Sequence, residues 1–194
     1  MLNALNYLNK KRLIIHNDIN LENIVISLKG KFQLSDFGAI KKIKSIEDSF
    51  KDLYRNGTQF YFSIYQYNYY TSVLYDWNCI LMCLLQIMGI KIDHEIKSKK
   101  DNVHTVFIEG YNCNEIITKI YDVMEKINIR IGELFQSEND FKKSLGNLIK
   151  FLFYVMNLDR NGKLIPFKFN GKIQISNNNE YLIFLDKLIE ILCK

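Results

Sequence analysis

Proline is almost missing from this chain. The one it has, Pro166, marks no domain boundary. Cysteine is scarce as well: Cys79 and Cys83 stand four apart in an apolar run, and Cys113 and Cys193 stand alone. There is no CxxC pair, and no histidine falls at zinc spacing from a cysteine, which argues against a structural zinc site and a disulfide framework. Reduced, buried thiols are the expected state. No apolar run is long enough for a bilayer. The most apolar stretch, "CILMCLLQIMGI" over 79–90, is too short and follows Asp76 and Asn78. Residues 1–15 lack the apolar core of a signal peptide. The expectation is an intracellular, cytoplasmic protein with no membrane partner. Arginine is confined to Arg12, Arg55, Arg130 and Arg160, while lysine, isoleucine and asparagine abound. That bias suits an AT-rich genome, such as that of a parasite or a large DNA virus, and concerns origin only.

The formal net charge of +5 is mild. Its densest lysine cluster, Lys97, Lys99 and Lys100, has no interleaved aromatic residues and reads as a solvated face, so no nucleic-acid partner is expected. Hydrophobic residues make up 48% of the 194, enough to bury a core within one domain spanning 1–194. There is no internal repeat, low-complexity tract or linker.

Leu2, Leu5 and Leu8 repeat at helical spacing over 2–11, and "RLII" is a short extended piece. "NIVIS" (23–27) and "FQLS" (32–35) read as strands joined by a turn at Gly30. Residues 39–72 have no period and many tyrosines, and read as a long loop with short helical pieces. Residues 73–88 are apolar round nearly the whole helical circumference, which predicts a buried central helix. Trp77 and Tyr65, Tyr67, Tyr69 and Tyr70 read as packing and loop residues. Further helices are expected over 113–134, 138–157 and 179–193, with a hairpin at Asn170-Gly171 between the last two. The fold class expected is mainly α with a small β-hairpin.

One stretch does not suit a core: "IIHNDINLENIVIS" over 14–27. It sets His16, Asp18, Glu22 and Asn23 between apolar runs. A hairpin brings its ends together, so Asn23 at the start of the first strand can meet Asp36 after the second, with Asp18 beside them. Two carboxylates and an amide oxygen suit a hard cation such as Mg²⁺. Gly38 is expected to permit an unusual backbone turn.

"HNDINLEN" followed by "SDFGAI" resembles the catalytic loop and metal-binding motif of protein kinases, H-R-D-L-x-x-x-N and D-F-G. "GTQFYFS" at 57–63 is similar to the end of a Ser/Thr-kinase activation segment, and "YDWNCILMCLLQIMG" at 75–89 to the buried helix of the large lobe. These motifs lie within residues 1–90. Over 91–194 the likeness is limited to "NLIKFLFYVMNLDR" at 147–160. The resemblance implies a protein-kinase-like C-terminal lobe using ATP and Mg²⁺. Asp18 would orient the substrate hydroxyl and Thr58 would support it. Asn23 and Asp36 would hold the metal, and Phe37 and Gly38 complete the nucleotide motif. Asp76 would bind backbone amides near His16 and Asn17, and His16 would be structural.

Several features depart from the family. The small lobe with its glycine-rich loop and lysine is expected to be absent: the two closest glycines, Gly30 and Gly38, stand eight residues apart. Asn20 replaces the catalytic-loop lysine, Asn17 an arginine, and Tyr65 the end of Ala-Pro-Glu. The resemblance therefore implies either of two functions. One is phosphoryl transfer to protein Ser/Thr once a small lobe completes the site. The other is a catalytically inactive fragment that binds a kinase or its substrate. A small-molecule phosphotransferase shares the H-x-D-x-x-x-x-N loop, but Gly57-Thr58 and Asp76 argue against it.

Overall fold

The computed structural model describes residues 1–51, 70–88, 129, 132–134, 136–154 and 163–192. The chain opens with helix α1 (Leu2–Tyr7), which widens into a π-helical turn over Leu8–Arg12. Leu13 stops it by taking a left-handed conformation, φ 52°. Strand β1 (Ile14–Ile15) follows, then the polar loop 16–23, then strands β2 (Ile24–Ile26) and β3 (Phe32–Leu34). These two pair antiparallel, with Ile24 opposite Leu34 and Ile26 opposite Phe32. Their turn closes through Gly30 N–H on the Ser27 carbonyl at 2.8 Å. Gly30 sits at φ +70°, where a residue with a Cβ is strained.

Residues 39–51 and 70–72 differ from the loop with helical pieces expected there. They form β4 (Lys41–Lys42), β5 (Ser49–Lys51) and β6 (Tyr70–Ser72). β4 pairs with β1, Ile15 opposite Lys41, and β5 pairs with β6, Phe50 opposite Thr71. Strands of two or three residues are too short to show alternation, and each partner lies far away in sequence. Residues 52–69, including most of the tyrosine-rich segment, lie outside the described residues.

Helix α2 (Val73–Ile87) is buried from Val73 through Leu81 and again at Cys83 and Leu85. Its first turn is fixed by Ser72, extended at φ −153°, whose hydroxyl accepts from Leu74 N–H at 3.3 Å. Helix α3 (Asp140–Phe153) is capped by the Asn139 side chain accepting from Lys142 N–H at 3.1 Å. Strands β7 (Phe167–Phe169) and β8 (Ile173–Ile175) form the second hairpin, with Asn170 and Gly171 both left-handed at φ 50° and 71°. Helix α4 (Asn178–Leu192) starts with a reciprocal cap: Asn177 Oδ1 accepts from Glu180 N–H at 2.9 Å, and the Glu180 carboxylate accepts from Ser176 N–H at 2.7 Å. Of the helix expected over 113–134, only residues 129 and 132–134 are described, and they are helical.

One hydrophobic cluster joins these pieces: Leu5, Ile15 and Ile19, the buried residues of α2, and those of α3, α4 and the second hairpin. Phe151 is its aromatic hub. Its ring stacks on Tyr181 at 4.5 Å and meets Phe169 edge-on at 5.2 Å. Two polar clamps tie distant segments. Asp186 of α4 accepts from Lys10 Nζ at 2.6 Å and from the Asn6 amide. Glu47 accepts from the first amides of α4, Asn178 N–H at 3.1 Å and Asn179 N–H at 2.8 Å, where the helix dipole favours an anion.

Because Phe151 lies within this shared core, Phe151→Ala should cost about 3–5 kcal/mol of unfolding free energy. Phe141→Ala, on the exposed side of α3, should change it by no more than about 0.5 kcal/mol. Urea denaturation of both variants measures the contrast; equal losses would place Phe151 outside the core.

Candidate functional site

The site is built from below by Asp76. It stands in the first turn of α2 and is fully buried. Its carboxylate accepts from His16 N–H at 2.8 Å, Asn17 N–H at 2.9 Å and Asn9 Nδ2 at 3.0 Å. Burial pushes the carboxyl above the usual carboxylate range, and the bonds from Asn17, Asn9 and His16 pull it back. Two consecutive amides turned to one anion require a bent backbone. Asn17 supplies it at φ 66°, a region asparagine tolerates better than most residues. The Asn17 side chain accepts from the Thr71 hydroxyl at 3.2 Å, and Asn9 also donates to the Ile14 carbonyl at 2.9 Å.

His16 is buried and sits within 3.1 Å of the Ser35 carbonyl through Nε2. A carbonyl only accepts, so Nε2 carries the hydrogen. The imidazole also packs against Phe37, ring centres 5.1 Å apart. His16 thus joins the loop to the end of β3.

Above these supports lie Asp18, Asn20 and Asn23, linked side chain to side chain. Asn20 Nδ2 donates to Asp18 Oδ1 at 3.3 Å, and Asn23 Nδ2 donates to Asp18 Oδ2 at 3.1 Å and to the Asp18 carbonyl at 2.9 Å. Asn20 Oδ1 accepts from Asn23 N–H at 2.9 Å. Ile19, between them, is buried in the core and pins the loop.

The hairpin carries Asp36 to the same end. The Asn23 carbonyl accepts from Ser35 N–H at 2.9 Å and from the Ser35 hydroxyl at 3.1 Å, one step beyond the Ile24–Leu34 pair. Asp36 is the next residue, and it is exposed. The unusual backbone expected at Gly38 belongs instead to Asp36, at φ 55°. Gly38 serves by close approach: its N–H donates to Asp36 Oδ1 at 3.1 Å, and a Cβ there would stand 3.1 Å from the same oxygen. Thr58 lies outside the described residues.

The structure therefore bonds Asp18, Asn20 and Asn23 directly, bonds Asn23 to Ser35, the residue before Asp36, and seats the loop on Asp76. Asn9, Ser35 and Thr71 complete the framework and carried no signal in the sequence, because an isolated polar residue reads as surface. Cys79 is one face of the buried helix, and burial pushes its thiol well up. Among the described residues no three His, Cys, Asp or Glu side chains gather to hold a metal ion. No helix among the described residues is long and apolar enough to cross a membrane.

No family model matches the chain. A stretch of 38 residues, 20% of the chain, is 55% identical to the Aurora kinase of Schizosaccharomyces pombe. That stretch covers 10% of the yeast kinase. A short region of this chain is therefore similar to a protein kinase.

Removing the carboxylate should strand the amides of His16 and Asn17 in the interior. Asp76→Ala should cost about 1–3 kcal/mol, read as a lowered melting temperature and faster hydrogen exchange at His16 and Asn17. An unchanged melting temperature would show that the loop stands without this anchor.

Proposed function

We propose that this chain is the large, mostly helical lobe of a Ser/Thr-type protein-kinase-like protein, acting in ATP- and Mg²⁺-dependent phosphoryl transfer to protein hydroxyls when a small lobe completes the nucleotide site. The observation that supports this reading best is the loop 16–23 itself. A buried carboxylate and a left-handed asparagine hold it so that Asp18 and Asn23 bond each other at the end of the hairpin that carries Asp36. Folding alone does not require that set.

In this reading Asp18 accepts the hydrogen bond of the incoming hydroxyl and orients it. Its half-buried carboxylate is already held by two amide donors, so little reorganisation accompanies binding. Both Asn23 Nδ2 bonds run to Asp18, which turns Asn23 Oδ1 away from that residue. Asn23 Oδ1 and the Asp36 carboxylate are the oxygens that would hold Mg²⁺, and their hardness fits it. When bound, Mg²⁺ supplies charge neutralisation on the nucleotide phosphates. Exposed Phe37, Ile26 and Phe32 supply apolar surface on the same hairpin and the segment after it. We assign it to a protein partner, with a complementing small lobe as the partner the resemblance implies.

A second reading, a catalytically silent lobe that binds a kinase or its substrate, is favoured by Asn20. It places no cation where the family has a lysine, and loss of such a donor costs roughly 10²–10³-fold in rate.

Calorimetry with ATP tests the metal and nucleotide assignment. Binding should be weak, should require Mg²⁺ and should disappear in Asp36→Ala; equal binding in EDTA would overturn it. The chain by itself should transfer no radiolabelled phosphate to a general protein substrate above an Asp18→Asn control. Transfer above that control would show that a small lobe is not needed.

A further inference from the structure

Asn20 is buried, although it lies in a polar loop beside an exposed residue, Glu22. Its amide orientation is dictated by its partners. A backbone N–H only donates, so the atom facing Asn23 N–H is the oxygen; a carboxylate only accepts, so the atom facing Asp18 is the nitrogen. One side chain thus closes a turn and holds a carboxylate at the same time. The Asn20 carbonyl adds a second acceptor for Asn23 N–H at 3.2 Å.

Few residue types can do both. Lysine has three donors and no acceptor. Ionised aspartate has acceptors and no donor. Serine has a single short hydroxyl. An amide on a one-carbon stem carries both functions at a separation matched to this turn.

We propose that Asn20 is a positioning residue: it presets Asp18 and Asn23 as one unit, so that the Asn23 side-chain oxygen is aimed before any cation or phosphate arrives. This rests on the reading of Asn23 and Asp36 as the Mg²⁺-holding pair. Asn20 acts on the cation only through Asn23 and Asp18. Both ends of its amide engage the loop, and the site keeps a preformed acceptor set without a resident cation at position 20. The same residue that removes the charge therefore holds the oxygens in place.

The test uses Mn²⁺ with ATP as the probe and paramagnetic broadening of the backbone amides of Asn23 and Asp36 in ¹⁵N-labelled protein as the readout. It compares wild type, Asn20→Ala and Asn20→Ser. Loss of an outer positioning residue should raise the Mn²⁺ midpoint about tenfold in Asn20→Ala. Amides of α3 and α4 should keep their positions in the spectrum, so the loss is not one of folding. Asn20→Ser retains an acceptor for Asn23 N–H, and with it the turn, but its hydroxyl is too short to hold Asp18 as well; its midpoint should fall between the other two. Should Asn20→Ala fail to fold, Asn20→Ser decides alone. A wild-type midpoint in either folded variant overturns the positioning role while leaving the Mg²⁺ assignment standing. No broadening at Asn23 or Asp36 in the wild type overturns that assignment, and this inference with it.

Discussion

A single buried carboxylate organises the candidate site of this protein. Asp76 lies in the first turn of a helix that is buried on nearly every side, where an ionised group without donors would be intolerable. The donors come from a loop sixty residues earlier in the chain, at His16 and Asn17, and from Asn9. The requirement runs both ways. The loop amides need an acceptor because they are buried, and the carboxylate needs the amides because it is. Neither can shift without exposing the other, so the position of the loop is transmitted directly to the core helix.

Everything on the loop inherits that position. Asn17 bends the backbone, Ile19 anchors it in apolar packing, and Asp18 is left between them, half-buried and pointing at Asn23. The polar work is done by neutral amides more than by charges. Asn9, Asn17, Asn20 and Asn23 each bridge two groups of the loop framework, through side chain or main chain. An amide can satisfy a carbonyl or carboxylate on one side and an N–H on the other without adding charge to a closed space. This gives an asparagine-rich composition a structural use at the site.

The remainder of the molecule keeps this end from drifting. Glu47 and Asp186 fasten early segments to α4, the one at its N-terminus and the other along its length. Phe151 and its aromatic neighbours join α3, α4 and the second hairpin into the same core that holds α2. The apolar pairs of the first hairpin run outward from this core: Ile24 and Leu34 pack on it, and Ile26 and Phe32 continue the same face into solvent, 64% and 57% exposed. A sheet face that begins in the core and ends in water is the surface on which the proposed partner would sit.

What the sequence by itself determined is everything governed by near neighbours. The all-round apolar run of 73–88 required a buried helix, because no face of it could meet water. Gly30 and the pair Asn170-Gly171 required turns, because they supply the left-handed backbone that hairpins need. With the hairpin came the bonding of Asn23 to Ser35, the residue before Asp36. Tertiary structure decided what depends on who stands opposite. The β1–β4 and β5–β6 pairs are too short to show a period. Glu47 looks like any surface acid until the end of α4 is placed against it. The strained backbone next to Phe37 fell on Asp36 and not on Gly38, because Gly38 is needed where its N–H can approach the Asp36 carboxylate. Asn20, read along the chain as a missing charge, becomes a two-sided hydrogen-bonding group only once Asp18 and Asn23 have been folded around it. Local patterns carry period and turn chemistry, whereas the partner of a buried polar group is chosen by the whole chain.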